Sequence, residues 1–285
     1  MTVIFDGIAS GMLLFLISVG LSVTLGLMGF VNLAHGAFAM LGGYVCVLLL
    51  KHAGVPFLAA LPLVVVAVSL VGVVLERILY RRLYGATHLD QVLFSIGLML
   101  MAVGAAHYCF GDQQQPLVLP RFLQGQINLP GLDLGIYRLF LVIVGLAIAA
   151  GLELLVWRTR FGAQLRAAVD NPTAARGLGI DVGRVFTLAF ALGSALAGLG
   201  GALGVEVLGL DPGFPIKYIV YFLIVVAVGG SGSIKGSLLA SVILGVADVA
   251  GKYYVPQVGA FVIYAVMVAM LIFRPEGLFG RRVAH

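Results

Sequence analysis

Nine long apolar runs, separated by short polar joints, leave this chain few folds to choose from. They fall at about residues 5–28, 30–50, 57–79, 92–110, 137–157, 185–205, 218–230, 234–250 and 258–273. A helix crosses the hydrocarbon of a bilayer with about 20 mainly apolar residues, because every backbone N–H and C=O must be satisfied within the span. The runs predict an all-α fold: a polytopic transmembrane helical bundle of about 8–9 spans. Charged residues are only 10% of the chain, against roughly 25% in a soluble domain. Residues 1–285 are therefore expected to form a single transmembrane domain, with no room for a sizeable soluble one. The first run lacks a basic start and is followed at once by more apolar sequence, so it reads as a span and not as a cleavable signal. The first two runs merge through Gly26-Leu27-Met28-Gly29. That region is either two spans or one span plus a broken helix near residues 28–36.

The basic residues set the orientation. Arg77, Arg81 and Arg82 flank one loop, five arginines lie between residues 158 and 184, and Arg274, Arg281 and Arg282 lie near the end of the chain. An even number of spans separates each cluster from the next, so all three share one side, and the positive-inside rule makes that side cytoplasmic. The C-terminus is then cytoplasmic and the N-terminus external. The net charge of +5 is accounted for by these loops and does not indicate nucleic acid. The opposite loops hold Lys51, Arg121, Arg138, Lys217 and Lys252, and the longest of them, 111–136, carries an exposed turn at Gln113-Gln114-Gln115-Pro116.

The polar island between Arg158 and Arg184 contains Asp170-Asn171-Pro172-Thr173-Ala174-Ala175-Arg176-Gly177-Leu178-Gly179. Asp170 or Asn171 supplies an N-cap oxygen, Pro172 takes the first helical position, and Gly177 or Gly179 ends the helix. So short a helix is unstable alone in water and makes sense docked against a partner. In a membrane chain without a nucleotide site of its own, an ATPase is the natural one.

Three other features stand out. Gly29-Phe30-Val31-Asn32-Leu33-Ala34-His35-Gly36 places an amide and an imidazole inside apolar sequence, where polar groups face protein or water and broken helices often frame binding sites. Asn32 is placed to cap the following helix. Asn32, His35 and Gly36, with Ser95 and Gly97 on a later span, are candidates for a translocation path, weighed against simple satisfaction by neighbouring helices. Gly229-Gly230-Ser231-Gly232-Ser233 before Lys235 fails the spacing of a phosphate-binding loop. It reads as a tight cytoplasmic hairpin, with Gly229, Gly230, Gly232 and Ser233 as a second surface for a cytoplasmic partner. The small residues from Gly193 to Gly201 read as close helix packing. Among ionisable groups, Asp248 and Lys252 form an i, i+4 pair, while Glu153 and Glu76 sit beside Arg158 and Arg77. Cys46 and Cys109 read as small buried hydrophobes. A lone His35 makes no metal site, and no catalytic motif supports an enzyme.

Taken together, the chain resembles the permease subunits of branched-chain amino acid ABC importers, over about residues 8–282. The resemblance is carried by residues 26–36 with Met40-Leu41-Gly42-Gly43-Tyr44, by Leu75-Glu76-Arg77 through Gly85, by Arg158-Thr159-Arg160-Phe161-Gly162 through Ile180, by Gly229 to Ser233, and by Phe273-Arg274-Pro275-Glu276-Gly277-Leu278-Phe279-Gly280. It implies a non-enzymatic permease in a bacterial or archaeal cytoplasmic (inner) membrane. The implied partners are a second homologous permease, two cytoplasmic ATPase subunits that hold ATP-Mg, and a periplasmic or extracellular substrate-binding protein, with no cofactor on this chain. The substrate is expected to be a branched-chain amino acid, or a related amino acid, urea or amide. The ATPase-coupling loop would comprise Arg166 and residues Asp170 to Gly179. Thr173 stands where importer permeases commonly carry glutamate. Two readings compete: an ion-coupled secondary transporter of small neutral solutes, with His35 as its titratable group, and a passive channel.

Overall fold

A computed structural model describes residues 1–30, 32–129 and 132–279. Val31 of the broken segment, and Gly280, Arg281 and Arg282 of the last basic cluster, lie outside the described residues. Each apolar run forms a helix: α1 (Thr2–Met28), α2 (His35–Lys51), α3 (Phe57–Ile78), α4 (His88–Phe110), α5 (Ile136–Arg158), α8 (Val182–Leu208), α9 (Phe214–Gly229), α10 (Ile234–Tyr254) and α11 (Gly259–Phe273). Two further helices, α6 (Arg160–Asp170) and α7 (Pro172–Gly177), fill the polar island. Six of the apolar helices have the length and composition to cross a membrane, and α2, α9 and α11 are shorter. The protein is an all-α polytopic membrane bundle.

Helix α1 ends at Met28 and α2 begins at His35. Gly29 adopts a left-handed conformation (φ 63°) that ends α1, with its N–H bonded to Leu25. The His35 imidazole is hydrogen-bonded through Nε2 to the Ile17 carbonyl at 2.7 Å. Ile17 lies about 16 Å along the helix from Met28 at 1.5 Å per residue. Helix α2 therefore starts beside the middle of α1. At that level Gly36 packs against Pro215 at the start of α9.

Helices α1 and α8 form the buried centre, whereas α3, α4 and α5 turn much of their apolar surface outward, as expected of faces that meet lipid or another membrane subunit. The glycines of α8 are consumed by packing. Gly193 and Gly200 meet α1 at Thr24 and Ile17, Gly198 meets Val68 of α3, and Gly201 meets the Ala39 backbone of α2. In lipid no hydrophobic effect drives helices together, so such close backbone approach, with its dispersion contacts, is a main source of cohesion.

Several sequence expectations change. Glu76, beside Arg77 in sequence, lies near the end of α3. It is fully buried, with Oε1 accepting from the Tyr84 hydroxyl and Oε2 from Thr187 of α8, both at 2.7 Å. The turn after α3 folds back and brings Tyr84 over it. Replacing Glu76 with alanine removes the acceptor of two hydroxyls and is expected to destabilise the chain by about 1–3 kcal/mol, measured as a lowered thermal transition in detergent, with Glu76→Gln losing less. Glu153 pairs with Lys235 of α10 at 3.0 Å, a partner distant in sequence. Asp248 and Lys252 do pair, at 2.6 Å. Cys46 is buried but Cys109 is exposed, on the outward side of α4. The 111–136 loop holds a small antiparallel hairpin, β1 (Gln126–Leu129) with β2 (Leu132–Gly135), in the register Gln126 to Gly135.

Candidate functional site

The arginine-rich end of the bundle is built by α5, α6, α7 and α8 in unbroken succession. Thr159 is the single residue between α5 and α6. Its hydroxyl accepts from the Gly162 N–H at 3.1 Å, which caps α6. Gly162 must be glycine, since a Cβ there would overlap the Val156 carbonyl. The sharp α5–α6 corner is held further by Arg166, which donates to the Val156 carbonyl and lies 4.8 Å over the Trp157 ring. Helix α6 was not foreseen from the sequence. It is strongly amphipathic, with Leu165 and Ala168 buried against Val182, Val185 and Ala189 of α8.

Helix α7 forms as the sequence predicts. Asn171 is its cap, with Oδ1 accepting from the Ala174 N–H at 2.9 Å, and Pro172 opens it. At the other end Leu178 N–H bonds back to Ala174, Ile180 N–H bonds to Ala175 at 3.0 Å, and Gly179 takes φ 81°. Asp181 then caps α8 through the Arg184 N–H and pairs with the Arg184 side chain. The six residues of α7 divide by face. Ala175 is buried in the contact with α6 and α8, whereas Thr173, Ala174, Arg176, Gly177 and the following Leu178 are exposed. Leu178 is 81% exposed at the tip. Asn171→Ala is expected to cost about 1 kcal/mol by loss of the cap; faster amide exchange confined to residues 172–178 is the observable.

The hairpin between α9 and α10 meets this assembly. Gly230 and Gly232 have φ of 89° and 79°, and the Ser233 hydroxyl caps α10 through the Gly236 N–H. Gly232 N–H bonds to the Ser22 carbonyl of α1 at 3.1 Å, and a Cβ on Gly26 would overlap Gly232. Leu278 and Phe279 donate to the carbonyls of Val228 and Gly229. The expected tight hairpin is therefore present and clamped between α1 and the segment after α11. Between it and the α5–α6 corner lies a cleft of about 310 Å³, lined by Glu153, Trp157, Arg166, Asp170, Gly232 and Lys235 among others. Two segments 50 residues or more apart, each singled out from sequence, thus share one surface.

The candidate path residues are only partly brought together. Asn32 Oδ1 accepts from the Ala34 N–H and from the Tyr80 hydroxyl at 2.9 Å, inside a ring cluster of Phe30, Tyr80, Phe94 and Phe190. The N-cap of α2 is Ala34, without a side-chain cap bond, so Asn32 braces the turn before α2 and does not cap the helix. Ser95 accepts from the Leu33 N–H at 3.1 Å, and His35 and Gly36 follow. Gly97 is elsewhere, on the outward face of α4 with nothing within 4 Å of a Cβ. Tyr80, which organises this cluster, was missed from sequence. Its only signal is an aromatic residue among the basic residues after α3.

The family described as branched-chain amino acid transport system, permease component, matches residues 3–271. The chain is 27% identical to the high-affinity branched-chain amino acid transport system permease protein BraD of Pseudomonas aeruginosa, covering 97% of this chain and 94% of that protein. The permease protein LivH of the system of the same description in Escherichia coli (strain K12) is also 27% identical, with the same coverage. LivM of that organism, another permease protein of a system so described, is 24% identical, covering 94% of this chain and 68% of LivM. No solved structure matches the chain.

Proposed function

Because the chain belongs to the family of branched-chain amino acid transport system permease components, we propose that it is the transmembrane permease subunit of an ATP-driven importer. It carries a branched-chain amino acid, or a related amino acid, urea or amide, into the cytoplasm. The arginine-rich end faces the cytoplasm, in accord with the positive-inside rule, and the C-terminus lies there. The likeness to both LivH and LivM supports a second, homologous permease as partner. Two ATPase subunits carry ATP-Mg and dock on the cytoplasmic end, and a periplasmic or extracellular binding protein delivers substrate on the other.

The observation that carries this reading is the rigid elbow α6–α7 with its exposed apolar tip at Leu178. Only one residue separates α5 from α6 and one separates α6 from α7. A displacement applied at α7 therefore passes to α5 through the Arg166 contact and to α8 through Leu165, Ala168 and Ala175. Helix α8 touches α1, α2 and α3 through its glycines, so its tilt reaches the centre of the bundle. Nucleotide binding to the partners biases an equilibrium between outward- and inward-open arrangements.

The test is uptake of L-leucine into proteoliposomes holding the full assembly, with ionophores collapsing the proton and sodium gradients. Uptake is expected to continue on ATP and to stop with a non-hydrolysable analogue. Uptake that ignores ATP and follows either ion gradient would overturn the reading in favour of a secondary transporter.

A further inference from the structure

At the end opposite the arginine-rich loops, the start of α1, the start of α5, the end of α8 and loop residues 119–126 with Gly135 line a cleft of about 700 Å³. Its walls combine charges of both signs with apolar surface: Asp6, Arg138 and Glu206, with Leu119, Leu123 and Val207 among others. Asp6 of α1 forms an ion pair with one guanidinium nitrogen of Arg138, whose side chain remains 47% exposed. A guanidinium has five N–H donors in a planar fork, so the pair with Asp6 fixes the side chain and leaves donors over. Glu206 is exposed and makes no ion pair among the described residues. A fixed cation and an unpaired anion therefore share one cleft without touching each other.

We propose that this cleft is the outer vestibule of the permease and binds a neutral α-amino acid as its zwitterion. The carboxylate of the ligand lies on Arg138, its ammonium on Glu206, and its side chain on Leu119, Leu123 and Val207. The inference rests on the importer reading for the side of the membrane and the substrate class. Opposite charges that do not meet each other suit a ligand carrying both, and planar recognition of a carboxylate is what arginine does best. The cleft is wide and open to water, so affinity is low. That is compatible with delivery from a docked binding protein, which presents substrate at high effective concentration.

The experiment reads occupancy of the cleft in the complete importer. A Val207→Cys variant, in a Cys109→Ser background, is labelled from outside with a hydrophilic thiol reagent. The remaining Cys46 is buried. L-leucine at tens of millimolar is expected to slow labelling about fivefold, the occupancy factor at about four times Kd. The one-charge analogues 3-methylbutylamine and 4-methylpentanoate leave the rate unchanged. Protection disappears in Glu206→Gln and in Arg138→Gln, while Arg138→Lys, which keeps the cation beside Asp6, retains part of it. Labelling that leucine does not slow, equal protection by the two analogues, or full protection in Glu206→Gln would each overturn the vestibule. ATP-driven uptake by the Cys109→Ser parent, which keeps Val207, is followed in parallel. Uptake without protection removes the vestibule and keeps the importer, whereas protection without ATP-driven uptake keeps the vestibule and overturns the importer.

Discussion

Replacing Leu178 with aspartate is expected to abolish ATP-driven uptake while the chain still inserts and purifies in normal yield. Leu178 is 81% exposed, so the fold does not depend on its side chain. Its backbone bonds to Ala174 and Ala175 are unaffected by the exchange. If the tip of α7 docks into an ATPase, burying Leu178 contributes about 1.5–3 kcal/mol, and an aspartate there adds the cost of desolvating a charge. The sum exceeds a hundredfold loss of docking at about 1.4 kcal/mol per tenfold. The measurement is retention of the ATPase on affinity-purified permease, beside uptake. Two alanines sharpen the test. Ala174 is exposed and Ala175 is 2% exposed against α6 and α8. Ala174→Arg should behave like Leu178→Asp. Ala175→Arg should also lower the yield of folded protein, because it forces a charge into the elbow itself.

The second large effect is expected at Gly201. Any Cβ there overlaps the Ala39 carbonyl, and backbone atoms cannot rotate away as a side chain can. Gly201→Val should therefore push α2 from α8 at a cost of about 3 kcal/mol or more, the upper range of overpacking. It should appear as a loss of monodisperse protein after extraction in mild detergent. Gly97→Ala is the control. With nothing within 4 Å of its Cβ and with alanine favoured in helices, it should leave that profile unchanged. A monodisperse Gly201→Val variant would show that α2 and α8 do not approach as closely as described.

Much of this was legible in the sequence, and the reasons differ by element. The nine apolar runs became nine helices, six of them long and apolar enough to cross a membrane, because length and composition are what mark a span. Helix α7 was readable because its cap, its proline and its glycine are local signals. Helix α6 was not read: in the run Arg160 to Asp170 only Phe161, Leu165, Ala168 and Val169 mark an apolar stripe, and five arginines nearby give the stretch the look of a plain polar loop. The hairpin at 126–135 alternates Ile127, Leu129, Leu132 and Leu134 about Pro130-Gly131, a pattern that suits a strand pair, but it is short beside the spans around it. The burial of Glu76 could not be read locally, since its partners Thr187 and Tyr84 are set by how α8 packs on α3. The same holds for Glu153, whose pairing with Lys235 depends on the α5–α10 contact. His35 shows the limit from the other side. The sequence marks an imidazole in apolar surroundings, and only the packing shows it bonded to the Ile17 carbonyl. The separation of Gly97 from Asn32, His35 and Ser95 likewise follows from which face of α4 turns inward.

We propose α7 as the contact through which ATP drives the bundle. The most direct measurement is a mild-detergent affinity purification of the intact assembly from its native membrane, with the chain as it is and with residues 172–178 replaced by a Gly/Ser linker of equal length. An ATPase is expected to co-purify in stoichiometric amount with the first and to be lost from the second, while a second permease is retained by both. An ATPase that stays with the linker variant, or a chain that purifies without one under conditions that preserve other membrane complexes, would contradict it.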